Sequence, residues 1–296
     1  MVFISHFVDG IVARTMGQLV LAASLVAIFA APACAGYADI VLADNPVGYW
    51  RLGETSGTKA NDIAPGFEPP FRDGAYSGGI TLGVEGPTFP TDAGKAADFD
   101  GSTGVVTIPP NPLFNQLTNN FTVEAWIKPD GVSGIQNVVS ARALIGDAGG
   151  WGLALNGNRI FFAAWGIEGA GGSSPPVLAA GFWQHVVVVY DSKNTTNFYL
   201  NGSPVGTLPG VAPVNPNGQA VYIGRAAEWW GGPEYFNGAI GEVAIYNHAL
   251  SAAEIQEHYV RALVPEPSGV VLGALAAAAL AGVIYRRGRR GSQTRH

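Results

Sequence analysis

Hydrophobic and polar positions alternate with the period of β-strands over much of the chain. The clearest case is FTVEAWIK at residues 121–128, which alternates until Pro129-Asp130-Gly131 ends it. Residues 186–190, VVVVY, are apolar on both faces, as in a strand that is covered on both sides. Turn residues follow at 191–194, and Asn201-Gly202 is a strong two-residue turn. The pattern therefore predicts a long hairpin over Phe182–Gly202, in the middle of a β-sandwich.

Further short apolar segments bounded by turn residues predict about a dozen strands in all. They lie at 47–54, 80–82, 95–101, 104–108, 138–145, 152–155, 159–164, 220–224 and 238–246, with a hairpin turn at Asn156-Gly157 and a surface loop at 170–176. The one predicted soluble helix covers Ser251–Leu263, where Ser251 and Glu254 form a capping box. These elements predict an all-β fold, a two-sheet antiparallel β-sandwich with a short C-terminal helix.

Composition and charge narrow the class of protein. The chain has 296 residues, of which 48% are hydrophobic and only 13% charged, which is sufficient for one large core. Residues 36–264 contain 10 basic and 20 acidic side chains, a net charge of −10, which argues against a nucleic-acid partner. Cys34 is the single cysteine and lies in a predicted leader, so the mature chain can form no internal disulfide.

The N-terminal residues 1–35 have the pattern of a signal peptide. Arg14 precedes the apolar run Leu19–Ala31, and Ala33-Cys34-Ala35 supplies an A-x-A site that predicts cleavage before Gly36. The 15 residues before Met16 are long for such a leader, so both Met1 and Met16 remain candidate starts. Cys34 as a lipoprotein acceptor is the alternative.

The C-terminal end also has the pattern of a targeting segment. Pro265-Glu266-Pro267 precedes an apolar run at 269–284, and four arginines follow between 286 and 290. Arginines after the run favour a cytoplasmic position for the tail at 291–296. The run is shorter than the ~20 residues of a typical membrane span, and a plain tail anchor is the alternative.

Residues 264–290 resemble the PEP-CTERM sorting signal of Gram-negative bacteria. The resemblance implies an apolar sorting helix that anchors the chain transiently in the inner membrane, its only membrane contact. It also implies recognition by an exosortase-type processing enzyme and delivery to the cell surface or the extracellular matrix.

Seven strings in order resemble one family of modules over residues 36–263. They are GYWRLGE, AADFDG, FTVEAWIKPDG, WQHVVVVYD, FYLNG, VYIGR and FNGAIGEVAIYNHALSAAEIQEHY. They resemble the laminin-G-like, concanavalin A-like lectin/glucanase jelly-roll modules of bacterial surface proteins. The resemblance implies a carbohydrate- or protein-binding module with calcium frequent, and some relatives are glycanases.

The acidic residues do not form the pattern of a glycanase. A retaining glycanase needs two carboxylates about 5–5.5 Å apart, which on one strand means acids at i and i+2 or i+4. Glu124 and Glu242 lack such a neighbour, and Asp100 of the pair Asp98/Asp100 belongs to a predicted turn. We therefore expect no enzymatic activity.

Three histidines give little indication of a functional site. His185 lies in the predicted hairpin strand and is predicted to be a hydrogen-bonded core or near-surface residue, with a ligand role as the alternative. His248 and His258 are too far apart in sequence for an i, i+4 metal pair.

Calcium is implied by the resemblance alone. Relatives often hold it with an acid in the loop after the first strand and another in an Ile-Asp-Glu-Val segment. The matching positions here are Asp62 and Glu242, although Gly241 stands where an aspartate is common.

Aromatic side chains in loops are the candidate ligand contacts. Trp229, Trp230 and Tyr235 flank a Gly-Gly-Pro loop and form a candidate surface platform, and Trp165 is a second candidate. The alternative is that one of these tryptophans fills the end of the sandwich. Trp50, Trp126 and Trp183 are predicted to lie in the core.

Together these observations predict a secreted, surface-sorted and non-catalytic binding protein. Its expected partner is an extracellular glycan or a matrix protein. Two alternatives remain: a structural or adhesive matrix protein without a small ligand, and a divergent glycoside hydrolase of the same fold.

Overall fold

A computed structural model describes most of the predicted globular domain. The described residues are 36–66, 72–87, 94–142, 149–165, 171–191, 193–210, 213, 215–216, 218–226 and 234–263. They belong to one compact unit. The predicted signal peptide and sorting signal lie outside these ranges. Within them, no helix has the length and hydropathy needed to cross a membrane.

The described part contains sixteen strands and three helices. The strands are β1 Gly48–Trp50, β2 Lys59–Ala60, β3 Gly74–Ser77, β4 Ile80–Glu85, β5 Lys95–Asp100, β6 Val105–Ile108, β7 Phe121–Pro129, β8 Ile135–Arg142, β9 Gly150–Asn156, β10 Arg159–Trp165, β11 Gly171–Ser173, β12 Gln184–Asp191, β13 Thr195–Leu200, β14 Ser203–Pro209, β15 Val221–Ile223 and β16 Asn237–Tyr246. The helices are α1 Tyr37–Ala43, α2 Pro112–Asn115 and α3 Ala252–Leu263.

The strands form two eight-stranded antiparallel sheets. The first sheet has the order β14-β13-β12-β7-β16-β5-β4, with β1 also paired to β16. The second sheet has the order β11-β10-β9-β8-β15-β6-β3-β2. The main core contains side chains from both sheets, among them Trp50 and Trp151, which are fully buried. The predicted two-sheet sandwich is therefore confirmed.

A second apolar cluster covers the outer face of the first sheet. Tyr37 and Val41 of α1 and Ile255 of α3 pack there against sheet residues such as Val187 and Tyr246. This second layer explains why β12 is buried on both faces, as its run of valines predicted.

The predicted hairpin and C-terminal helix are confirmed. In β12 and β13, Val186 pairs with Leu200 and Asp191 with Thr195, and Asn201-Gly202 connects directly to β14. The capping box of α3 is present: the Ser251 amide donates to Glu254 Oε2 at 2.6 Å, and the Glu254 amide donates to Ser251 Oγ at 3.3 Å.

Several elements differ from the sequence prediction. Helices α1 and α2 were not predicted, and residues 171–173 form strand β11 where a surface loop was expected. The turn between β9 and β10 lies one residue later than predicted, because Asn156 still pairs with Arg159 and the loop residues are Gly157 and Asn158.

Candidate functional site

The outer face of the second sheet carries the candidate site. Strands β8, β9, β10 and β15 each send alternate apolar residues into the main core, for example Ala141, Leu153, Ala164 and Val221. The residues between them therefore point to the opposite face. On this outer face lie Ser140, Arg142, Gly152, Trp165 and Tyr222.

Arg142 and Trp165 meet at one end of this face. Both pair with Gly150 of the intervening strand, which aligns them across three strands. The Arg142 guanidinium carbon lies 4.9 Å from the centre of the Trp165 ring, a cation–π distance. Arg142 is buried whereas Trp165 is half-buried. Burial lowers the pKa of Arg142, and the negative charge of Glu234 opposes that shift.

Gly152 provides the space in which the Trp165 indole lies. A Cβ atom at residue 152 would be 2.6 Å from Trp165 Cη2 and 3.4 Å from Asn137 Oδ1. The indole edge and the Asn137 amide oxygen therefore lie side by side above Gly152. A larger residue at this position would displace one of them.

Asn137 is a buried amide with an unused acceptor. Its side chain is 1% exposed, and its Nδ2 donates to Glu234 Oε2 at 2.7 Å. Among the described residues, Oδ1 has no hydrogen-bond partner. Buried polar atoms almost always have a partner, so an acceptor on an outer face is a candidate ligand contact.

Arg225 and two tyrosines continue the site beyond β15. The Arg225 guanidinium carbon lies 5.0 Å from the Tyr222 ring centre and 5.9 Å from that of Tyr235. Its Nη1 donates to the Tyr235 hydroxyl at 3.3 Å. A backbone bridge joins Arg225 to Tyr235, and the Asn137 amide donates to the carbonyl of Glu234. The arginine, the tyrosine and the amide are therefore neighbours.

The chemistry of this group suits a polyhydroxylated ligand. Half-buried aromatic rings present apolar faces with polar edges, while the amide, guanidinium and carboxylate groups supply directional hydrogen bonds. Few placed polar groups among aromatic side chains are typical of small-molecule sites.

The structure brings two of the predicted ligand contacts to this one face. Trp165 and Tyr235 both border the site. Trp229 and Trp230 lie outside the described residues. Sequence reasoning missed Asn137 and Arg142, because nothing in the pattern showed which face of β8 would remain outside the core. It also missed Arg225, which lies just beyond the end of β15.

The two predicted metal ligands are already surrounded by donors. Asp62 Oδ2 lies 2.6 Å from Arg72 Nε, and its Oδ1 accepts from the amides of Tyr49 and Ala64. Glu242 Oε1 accepts from Arg51 at 2.8 and 2.9 Å. Calcium needs free oxygen lone pairs, so these two carboxylates as arranged do not fit a calcium ion.

Glu242 also lines a surface cleft on the first sheet. This cleft has a volume of about 440 Å³ and is bordered by Arg51, Glu54, Asn61, Lys95 and the exposed side chain of Ile63. Its walls mix both charge signs, and Glu242 itself is only 1% exposed. Among the described residues, the lining of the cleft contains no aromatic side chain, unlike the outer face of the second sheet, which is therefore the better candidate site.

Glu124 forms a buried polar network beneath the two helices. Its Oε2 lies 3.2 Å from His185 Nε2 and 3.0 Å from His258 Nδ1, and its Oε1 accepts from the Tyr246 hydroxyl at 2.6 Å. His258 Nε2 lies 3.0 Å from Asp44 Oδ2. The prediction that His185 is a hydrogen-bonded core residue is confirmed. Glu124 and both histidines are fully buried, so this network has a structural role.

A family model matches the sequence over residues 100–256, which is more than half of the chain. Its description is the concanavalin A-like lectin/glucanases superfamily. The chain belongs to this superfamily. A comparison with curated protein sequences found no match.

Solved structures share the fold at low sequence identity. A Trypanosoma rangeli sialidase in complex with sialic acid aligns with TM-score 0.54 and 16% identity, over 75% of this chain and 34% of that chain. The binding domain of botulinum neurotoxin DC aligns with TM-score 0.52 and 14% identity in its complexes with rat synaptotagmin II and with SialylT. These cover 74% and 75% of this chain and 52% of the toxin domain. The chain thus spans about a third of the sialidase and about half of the toxin domain.

Proposed function

We propose that this member of the superfamily binds saccharide on the outer face of its second sheet, without catalysis. The observation that carries the proposal is the unused Oδ1 of buried Asn137 beside the half-buried indole of Trp165. An acceptor beside an aromatic ring can accept a sugar hydroxyl while the ring contacts the sugar's C–H face. Tyr235 extends the aromatic surface.

The similar structures are compatible with this function. The sialidase complex contains sialic acid, and one toxin-domain complex contains SialylT. At 16% and 14% identity these likenesses indicate a shared fold, and function depends on the site that a fold carries.

The arrangement of carboxylates supports binding rather than hydrolysis. Among the described residues, Glu234 is the carboxylate in contact with this site, and Asn137 already donates to it. Glycoside hydrolysis uses a pair of carboxyl groups on either side of the scissile bond. Glu124 cannot be the second member, because it is fully buried beneath the helices.

A glycan array with a parallel assay for reducing sugar tests the proposal. We expect retention on a subset of saccharides and no release of reducing sugar. Release of reducing sugar would replace the proposal with a divergent glycoside hydrolase.

A protein partner is the second candidate function. The toxin domain also appears in complex with rat synaptotagmin II, so this fold accommodates a protein ligand as well. If the glycan array shows no binding and the protein self-associates in solution, a structural or adhesive matrix protein is favoured. That result would contradict the proposed saccharide binding.

Calcium stays a prediction from the resemblance, and the donors around Asp62 and Glu242 give it no support. Running the array with calcium and with chelator tests it. Equal retention in both conditions would count against a calcium-dependent site.

For delivery we propose export through residues 1–35 and sorting through residues 264–290, with an exosortase-type enzyme as the processing partner. The proposal rests on the order of Pro-Glu-Pro, apolar run and arginines. Removal of residues 264–296 is expected to release the protein from the cell surface into the medium. Unchanged surface display of the truncated chain would contradict it.

A further inference from the structure

We infer that the site on the second sheet selects acidic saccharides and that Arg225 contacts their anionic group. This inference rests on the proposed saccharide binding and names its ligand class. It begins with the environment of one side chain. Arg225 is half-buried, its guanidinium lies near the rings of Tyr222 and Tyr235, and its Nε is buried without a hydrogen-bond partner among the described residues.

Three other arginines of the described chain have a carboxylate partner, whereas the exposed Arg159 donates to the Ser174 carbonyl and stays in contact with water. Arg51 pairs with Glu242, Arg72 with Asp62 and Arg261 with Glu257. Arg225 forms no ion pair with any carboxylate in the described ranges. A partly desolvated cation without a counter-charge is unfavourable, and a bound anion removes that cost.

The negative net charge of the domain makes the lack of an ion pair at Arg225 more informative. Residues 36–264 carry twice as many acidic as basic side chains, yet the described carboxylates leave Arg225 unpaired.

Arg225 and its neighbours together can contact both an anionic group and the hydroxyl groups of a sugar. A guanidinium presents several N–H donors in one plane and matches a carboxylate or a sulfate in two-point contact. Asn137 donates to Glu234, the residue before Tyr235, and its Oδ1 is an unused acceptor that can accept a hydroxyl group of the same ligand. An anionic group next to free hydroxyls describes an acidic saccharide, whose charge comes from a uronate carboxylate or a sulfate ester.

Affinity electrophoresis of the whole protein tests this with matched ligands. Gels contain polygalacturonate, its neutral methyl ester, dextran sulfate or dextran. We expect stronger retardation by a charged polymer than by its neutral counterpart. The pair that discriminates identifies the source of the charge: polygalacturonate against its ester indicates a carboxylate, and dextran sulfate against dextran indicates a sulfate.

Variants assign the selectivity to Arg225. Arg225→Gln is expected to lower affinity for the charged polymer about tenfold, the effect of losing one charge-assisted hydrogen bond, with little change for the neutral one. Arg159→Gln is the matched control, because Arg159 is an exposed arginine of β10 in the same sheet. Thermal melts of both variants check that the fold is retained, and Arg225→Met, which also removes the charge but keeps an unbranched apolar stem, replaces Arg225→Gln with the same expected loss if the latter does not fold.

The outcomes separate the inference from the proposed function. Equal retention by charged and neutral polymers would overturn the acidic ligand class while leaving saccharide binding in place. Equal losses in the Arg225 and Arg159 variants would show non-specific charge attraction and would also overturn it. Retention by no saccharide, here and on the array, would overturn the proposed function itself.

Discussion

Gly152 determines where the indole of Trp165 lies. A Cβ atom there would come within 2.6 Å of Trp165 Cη2, closer than real contacts allow. The neighbour is the far edge of a half-buried ring, so the ring can move aside while the backbone stays in place.

We therefore expect Gly152→Ala to weaken saccharide retention about tenfold, which corresponds to about 1.4 kcal/mol. Its free energy of unfolding should change by less than about 1 kcal/mol, as is usual where the strained contact is a movable surface ring. Affinity electrophoresis and urea unfolding measure the two quantities.

Gly131→Ala is the control for Gly152→Ala, because a Cβ at residue 131 meets nothing within 4 Å. Unchanged retention for Gly152→Ala, or an equal loss for Gly131→Ala, would contradict the role given to Trp165.

The site residues differ in how far the sequence could predict them. Trp165 and Tyr235 are candidate ligand contacts already in the sequence, because large aromatic side chains near glycine-rich loops are hard to bury. Asn137 could not be predicted: the register of β8 shifts between Asn137 and Val139, so that Val138 and Val139 both enter the core. Strict alternation would place Asn137 on the core side with Val139, and only the bulge reverses this.

At the scale of elements, a buried histidine connects α3 to the first sheet and to the end of α1. His258 of α3 contacts Glu124 of β7 and Asp44, the residue after α1. Glu124 is shared with His185 and Tyr246. Burial opposes a charge on His258, but the carboxylates of Glu124 and Asp44 outweigh it and raise the pKa of His258 to about 9.

This raised pKa predicts a loss of stability at alkaline pH. A histidine whose pKa is higher in the folded state stabilises fully below its unfolded pKa of about 6.5. That contribution, on the order of 3 kcal/mol, disappears as pH rises through about 9. The difference in unfolding free energy between the wild type and His258→Gln should therefore be large at pH 6 and shrink by pH 10, as urea titrations can measure.

His248→Gln provides the matched comparison, since the only side-chain hydrogen bond of His248 among the described residues is to its neighbour Asn247, and its ring packs edge-on against Tyr246. It should remain close to the wild type throughout. A constant difference between the wild type and His258→Gln over this pH range would contradict the charged state assigned to His258.

The elements themselves were predicted to different degrees. The hairpin of β12 and β13 follows from its apolar strand pattern and its turn residues. Helix α3 follows from its capping box. Helix α1 was missed because its seven residues include β-branched Ile40 and Val41, and its stability comes from packing of Tyr37 and Val41 on the first sheet. Strand β11 was missed because Gly171-Gly172-Ser173 has no strand propensity of its own.

At the scale of the molecule, the outer face of the first sheet is covered by helices, whereas the outer face of the second sheet carries the candidate site. Helices α1 and α3 cover the first sheet and bury the Glu124 network. The second sheet carries Asn137, Trp165 and Arg225 on its outer face. The central strands β8 and β9 of the second sheet are also buried on both faces. Strand patterns could not have shown which side chains lie on either outer face, because they indicate burial but not what covers a strand.

Chemical-shift mapping by NMR tests the central claim most directly. The protein is titrated with the saccharide that the array and electrophoresis identify, and backbone amide shifts are followed. The account predicts that the largest shifts fall at residues 137–142, 152, 163–165, 222–226 and 234–236. Shifts concentrated at the cleft around Arg51 and Glu242, or on α1 and α3, would contradict it.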